Sequence, residues 1–168
     1  MTNNSWGNIT DPTLHNPESF RYLVHADTGC HNTTRYFADD LDAITELDMV
    51  SASLIDSAHS RTFASTFGII IEVPVQDVLA ADCRDLNSKN NTSVALSMGV
   101  KDPEVILEGS TDFMWNEILI NPKDIMIRGI TYTPRNRRST LLGMLHPLTI
   151  DDSRELAMKN GLPFVLIE

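Results

Sequence analysis

Apolar residues gather in short runs along this chain, and the polar residues inside those runs fall at alternate positions. Phe20-Arg21-Tyr22-Leu23-Val24-His25 predicts a first strand, with Arg21, Leu23 and His25 on one face and Phe20, Tyr22 and Val24 on the other. Residues 49–55 predict a second, in which Ser51 and Ser53 share a face opposite Val50 and Leu54. The continuous run Phe67-Gly68-Ile69-Ile70-Ile71-Glu72-Val73, stopped by Pro74, predicts a buried strand. Glu117 opens the run Ile118-Leu119-Ile120, which ends at Asn121-Pro122 before a second β-rich stretch over 125–132. That pattern predicts a hairpin with Glu117 near the start of its first strand.

Between these runs the pattern is weaker. Residues 39–44 read as a helix start with acidic residues in its first turn. Residues 75–81 allow one helical turn, 56–66 a short helix or loop, 83–94 an exposed loop, and 103–107 a short strand. Thr149 and Asp152 stand at capping-box spacing and Gly161 supplies a stop, so 149–160 predict a capped helix, followed by a terminal strand over 163–167. No repeat or second domain is visible. The expected organisation is an irregular surface arm over 1–19 around Trp6, then a single domain over 20–168.

Composition narrows the function more than the fold. With 168 residues the chain can bury a sizeable core. Its formal net charge of -10 argues against docking along nucleic-acid phosphates or an anionic membrane, while a few placed arginines can still hold a small anion. No apolar run approaches a membrane span, and the first residues lack a secretory pattern, so the Asn-x-Ser/Thr triplets read as loop composition. Two cysteines, Cys30 and Cys83, make reduced thiols and a cytosolic setting the expectation.

Familiar chemistries are absent. There is no dinucleotide-binding glycine fingerprint and no phosphate-binding loop. His25, Asp27, Cys30 and His31 lie within seven positions, but no matching second pair completes a zinc set, and no metal is expected. Cys30 beside His31, or with His59, carries no nucleophile signature. The basic island Pro134-Arg135-Asn136-Arg137-Arg138 reads as a solvated loop. What remains is an ordered trio of polar residues on apolar strands: Arg21, the pair Ser51 and Ser53, and Glu117.

Over residues 20–133 this layout resembles the mono-ADP-ribosyltransferases that carry an Arg-Ser-Glu signature. In that family an arginine sits on the first core strand, as in Phe20-Arg21-Tyr22-Leu23, and a Ser-x-Ser element opens another, as in Ser51-Ala52-Ser53. A glutamate begins a later strand, as in Trp115-Asn116-Glu117-Ile118. The layout is similar to that of small bacterial effector, toxin or phage-encoded members. Trp115 stands where arginine-modifying members have Glu and others have Gln, so the acceptor residue is not carried over. Related enzymes of a His-Tyr-Glu type use a first-strand histidine, which His25 also offers; Ser51 and Ser53, with no aligned tyrosine, favour the Arg-Ser-Glu type.

The resemblance implies an α+β domain of two packed, mainly antiparallel sheets around a central NAD-binding cleft, with a few short helices. It implies NAD as co-substrate and a target protein as acceptor of ADP-ribose. Glu117 would stabilise the oxocarbenium-like charge on the ribose, Arg21 would pair with a phosphate or ribose, and Ser51 would hold Glu117 or the ribose. Tyr22, His25, Ala52, Ser53, Phe63 and Phe67 complete the expected NAD contacts, with Phe63 or Phe67 as a wall for nicotinamide. The loop from Gly109 to Asn116 would present Phe113 and Trp115 to the target. NAD hydrolysis by water and a non-catalytic protein-binding effector stay open as alternatives. An effector of this kind would act in a cytoplasm, its own or that of a host cell reached by a secretion route that uses no signal peptide.

Overall fold

The alternating runs do form strands, and their pairing is antiparallel with one exception. The computed structural model describes residues 6–26, 40–60, 67–84, 86, 92–110, 116–134 and 148–168. Strand β1 (Arg21–Ala26) is followed by β2 (Val50–Asp56), β3 (Phe67–Glu72), β4 (Val78–Asp82), β5 (Glu117–Ile120), β6 (Met126–Tyr132) and β7 (Phe164–Leu166). They form one seven-stranded sheet in the order β4-β5-β2-β1-β3-β6-β7, with only β6 and β7 parallel. Helices α1 (Thr92–Ser97), α2 (Pro103–Gly109) and α3 (Ile150–Lys159) join four 3-10 turns to complete the described elements. The class is α+β, as expected. In place of two packed sheets, the described strands make a single sheet.

Strand alternation divides the core between the two faces. Leu23, Leu54, Ile69, Ile71, Ile118 and Ile120 pack on one side with Ile106 and Leu107 of α2 and Leu156 of α3. Tyr22, Val24, Ile55 and Ile70 line the other with Phe20, Val165 and Ile167. A fully buried Leu or Ile contributes about 2 kcal/mol of burial free energy, so both faces anchor the sheet. A third, small cluster of Ala80, Ala95 and Leu119 seats α1 on β4 and β5.

Several local expectations give way to tertiary context. Within the arm before residue 20, whose described residues are mostly exposed or half-buried, Trp6 is an anchor: it is buried, and its backbone N–H donates to the Val73 carbonyl at 3.0 Å. Residues 103–107 are helical rather than extended, because Pro103 is ideal in a first helical turn and Asp102 is the residue before it. The single turn expected over 75–81 shrinks to a 3-10 turn over Val75–Asp77, after which β4 begins. Part of the loop expected over 83–94 is the start of α1.

The hairpin expectation fails in an informative way. Asn121-Pro122 does make a tight 3-10 turn, with the Asn121 side chain capping Lys123 N–H. Yet β5 pairs with β2 and β4, while β6 pairs with β3. The α3 expectation is met in full: Thr149 and Asp152 exchange capping-box hydrogen bonds, and Gly161 follows at φ 64°. No described helix is long and apolar enough to cross a membrane.

Candidate functional site

The site grows out of a change of partner along β2. Residues Ser53–Asp56 pair with β1, through Val24↔Ser53 to Arg21↔Asp56. Residues Val50–Ala52 pair with β5 instead, through Ala52↔Ile118 to Val50↔Ile120. Between Ala52 and Ser53 the strand therefore passes from one neighbour to the other, leaving a seam in the sheet.

Two side chains replace the ladder bonds that the seam interrupts. On the β1 side, His25 Nδ1 lies 2.7 Å from the Ser51 carbonyl oxygen. A carbonyl only accepts, so this contact assigns the proton to Nδ1 and fixes the ring. On the β5 side, the Asn116 carboxamide accepts from Leu54 N–H at 2.7 Å and donates to the Leu54 carbonyl at 2.8 Å. Asn116 also donates to Ser110 Oγ at 2.9 Å, and its own carbonyl accepts from Ser53 Oγ at 3.1 Å.

Glu117 stands directly beyond Asn116. The residue is 6% exposed, and a buried charge is costly unless it is hydrogen-bonded. Ser51 Oγ donates to Oε1 at 2.6 Å, and the Leu86 backbone N–H donates to Oε2 at 2.6 Å. Both contacts have the short lengths of charge-assisted bonds. Ser51 itself is exposed, so the serine edge of the carboxylate is the edge nearest solvent.

A second carboxylate lies across from the first. Asp82 on β4 is in register with Glu117 on β5 and is fully buried. Lys101 Nζ lies 2.9 Å from Asp82 Oδ2, and Arg84 Nε 3.6 Å from Oδ1. Burial pushes the Asp82 carboxyl up, but hydrogen bonds from Lys101 and Cys83 and the charges of Lys101 and Arg84 outweigh it and hold the group below the usual range. Burial pushes the Cys83 thiol up, and its bond to Asp82 adds to the shift, which disfavours the reactive thiolate.

Of the expected trio, the structure brings Ser51 and Glu117 together and leaves Arg21 apart. Arg21 pairs across from Asp56, five positions from Ser51 and about 16 Å along the strand. Alternation also sends it to the opposite face, where its guanidinium meets Glu104 of α2 in a two-pronged pair at 2.7 and 3.1 Å. Tyr22 is fully buried, with its hydroxyl 2.8 Å from His15 Nδ1, so the expected NAD contact is instead a core residue. Ala52 and Phe67 are likewise core residues, on the face that carries α2. Ser53 is buried and spends its hydroxyl on Asn116. Phe63, and Phe113 and Trp115 of the loop from Gly109 to Asn116, lie outside the described residues, as do Cys30, His31 and Arg135 to Arg138.

Asn116, Asp82, Leu86 and Lys101 escaped the sequence reading. Asp82 had a signal, an acidic residue closing the apolar run Val78-Leu79-Ala80-Ala81. Among the described residues, no group of three or more His, Cys, Asp or Glu is placed to hold a metal ion. Comparison of the chain with protein-family models, curated proteins and solved structures finds no match.

Proposed function

We propose that this protein transfers ADP-ribose from NAD to a side chain of a target protein, with Glu117 as its catalytic carboxylate. The observation that carries the reading is the 2.6 Å bond from Ser51 Oγ to Glu117 Oε1 at the seam of the sheet. A serine and a glutamate so joined, far apart in sequence, are two of the three residues on which the family resemblance rests.

The chemistry asks for a fixed negative charge. When the bond between C1′ of the ribose and the nicotinamide nitrogen breaks, its electron pair leaves with nicotinamide and positive charge develops on the sugar. The acceptor side chain then bonds C1′ and gives up a proton. Glu117, held on both oxygens, would accept a hydrogen bond from the ribose hydroxyl and stabilise that charge without having to reorganise. Ser51 would set its orientation.

Arg21 does not fit the phosphate-binding role that the resemblance gave it, since it faces Glu104 on the other side of the sheet. His25 is the first-strand residue at the seam, but alternation puts it on the face of Arg21 and Leu23, so its part in this reading is to hold the Ser51 carbonyl rather than to face Glu117. On this reading the seam divides the sheet into β4-β5-β2 and β2-β1-β3-β6-β7 halves that take the part of the two packed sheets, with NAD bound where they diverge.

Incubation with NAD labelled on its adenylate phosphate and a cell lysate tests the reading. Wild-type protein is expected to label a lysate protein and release nicotinamide, and Glu117→Gln to melt normally while losing both by about 100-fold or more. Nicotinamide release with no labelled protein, in any lysate, would replace transfer by NAD hydrolysis. A Glu117→Gln protein as active as wild type, or a wild type that leaves NAD intact, would overturn the site.

A further inference from the structure

We infer that Asn116 is the positioning residue of Glu117: its carboxamide stands in for a peptide unit where β5 leaves β2, and so fixes the register that sets Glu117 beside Ser51. Extending the β2–β5 register places Asn116 opposite Leu54, one step past Glu117 opposite Ser53. At that step the main chains no longer pair. The Leu54 N–H and C=O both point to the β5 side and both are met by the Asn116 side chain, at 2.7 and 2.8 Å. A carboxamide offers an N–H donor and a C=O acceptor side by side, as a peptide unit does.

The remaining bonds make the arrangement specific. Asn116 is 3% exposed, and its second Nδ2 hydrogen goes to Ser110 Oγ, which itself donates to the Ile106 carbonyl in α2. Its main-chain carbonyl takes the Ser53 hydroxyl. One residue thus joins β2, β5 and the end of α2 immediately before the carboxylate. A shift of one position would send Glu117 to the opposite face, away from Ser51 and Leu86, because side chains alternate along a strand. Aspartate in place of Asn116 would keep the acceptor and lose both donors.

The placement is readable without turnover, because Leu86 N–H is bonded to Glu117 Oε2 and reports where the carboxylate stands. In a nitrogen-15 spectrum of the wild type, the Leu86 amide proton is expected far downfield and the Leu54 amide is expected to exchange slowly. Asn116→Ala, and Asn116→Asp if the alanine variant does not fold, should move the Leu86 proton upfield and speed exchange at Leu54. A folded variant of either kind that melts earlier but keeps the wild-type Leu86 resonance would reduce Asn116 to a structural residue and overturn the inference.

The effect on rate rests on the proposed function. Under it, the folded variants should lower kcat for nicotinamide release by at least about tenfold with KM for NAD little changed, as for a misplaced catalytic group. Failure of the wild type to consume NAD would sink that function while leaving the Leu86 resonance to decide the role of Asn116. Wild-type kcat in a folded variant of an active enzyme would count against the inference itself.

Discussion

At the scale of single residues, Ser51 and Tyr22 show why alternation within a strand is only half the information. Ser51 is exposed and bonded to Glu117, so Ser51→Ala should leave the melting temperature near wild type. Under the proposed function, its turnover should fall roughly 10- to 100-fold, the worth of a hydrogen bond to a charged group, as read by steady-state nicotinamide release. Tyr22 is buried, and desolvation, with the Asp11 charge, pushes its hydroxyl up to about 12. The folded state therefore keeps a proton that the unfolded chain releases near pH 10, and this stability is present below pH 10 and lost as pH rises toward 12. The loss is on the order of 3 kcal/mol, so alkaline melts of the wild type should slope downward there and those of Tyr22→Phe should slope less. Ser51 and Glu117 were legible in the sequence because polar residues interrupting apolar strands need partners. Arg21 looked equivalent. Only the pairing of Leu23 with Leu54, and so of Arg21 with Asp56, reveals that its face is the wrong one.

At the scale of elements, local chemistry was legible and partner choice was not. The capping box of α3 is written in two residues three apart, and the structure builds it as read. Thr149→Ala should lower stability by about 1 kcal/mol in a denaturant melt, with no effect on turnover. The turn at Asn121-Pro122 was also legible, but a turn says nothing of which strands its flanks will join. Both flanks found other apolar partners, β5 between β2 and β4 and β6 beside β3. Residues 103–107 were ambiguous for a different reason: a short apolar run fits a strand or a buried helix face equally. Burial resolves it, since Ile106 and Leu107 are covered while Val105 is half exposed, the pattern of a helix lying on the sheet. The pair of Arg21 with Glu104 then ties α2 to β1, and Arg21→Gln should retain turnover of wild-type order in the nicotinamide assay.

At the scale of the whole molecule, an acidic chain places two buried carboxylates, Asp82 and Glu117, in register on neighbouring strands. Lys101 neutralises Asp82, and its removal would leave the buried charge to the more distant Arg84 and the Cys83 thiol. Lys101→Met should cost about 2 kcal/mol, less than a fully buried pair because the lysine is partly exposed, and Asp82→Asn in the same chain should restore most of it. Because Asp82 is held below the ordinary carboxylate range, its contribution is present above about pH 4 and fades as acid carries the folded group through its lower value. Urea melts across that range compare the two variants. The seam through β2 belongs to this scale as well. Three residues of that strand are sewn to one half of the sheet and four to the other, and the side chains of His25 and Asn116 bridge the change of partner on its two sides. The stitching of the sheet thus changes hands along one line, and Glu117 lies beside that line.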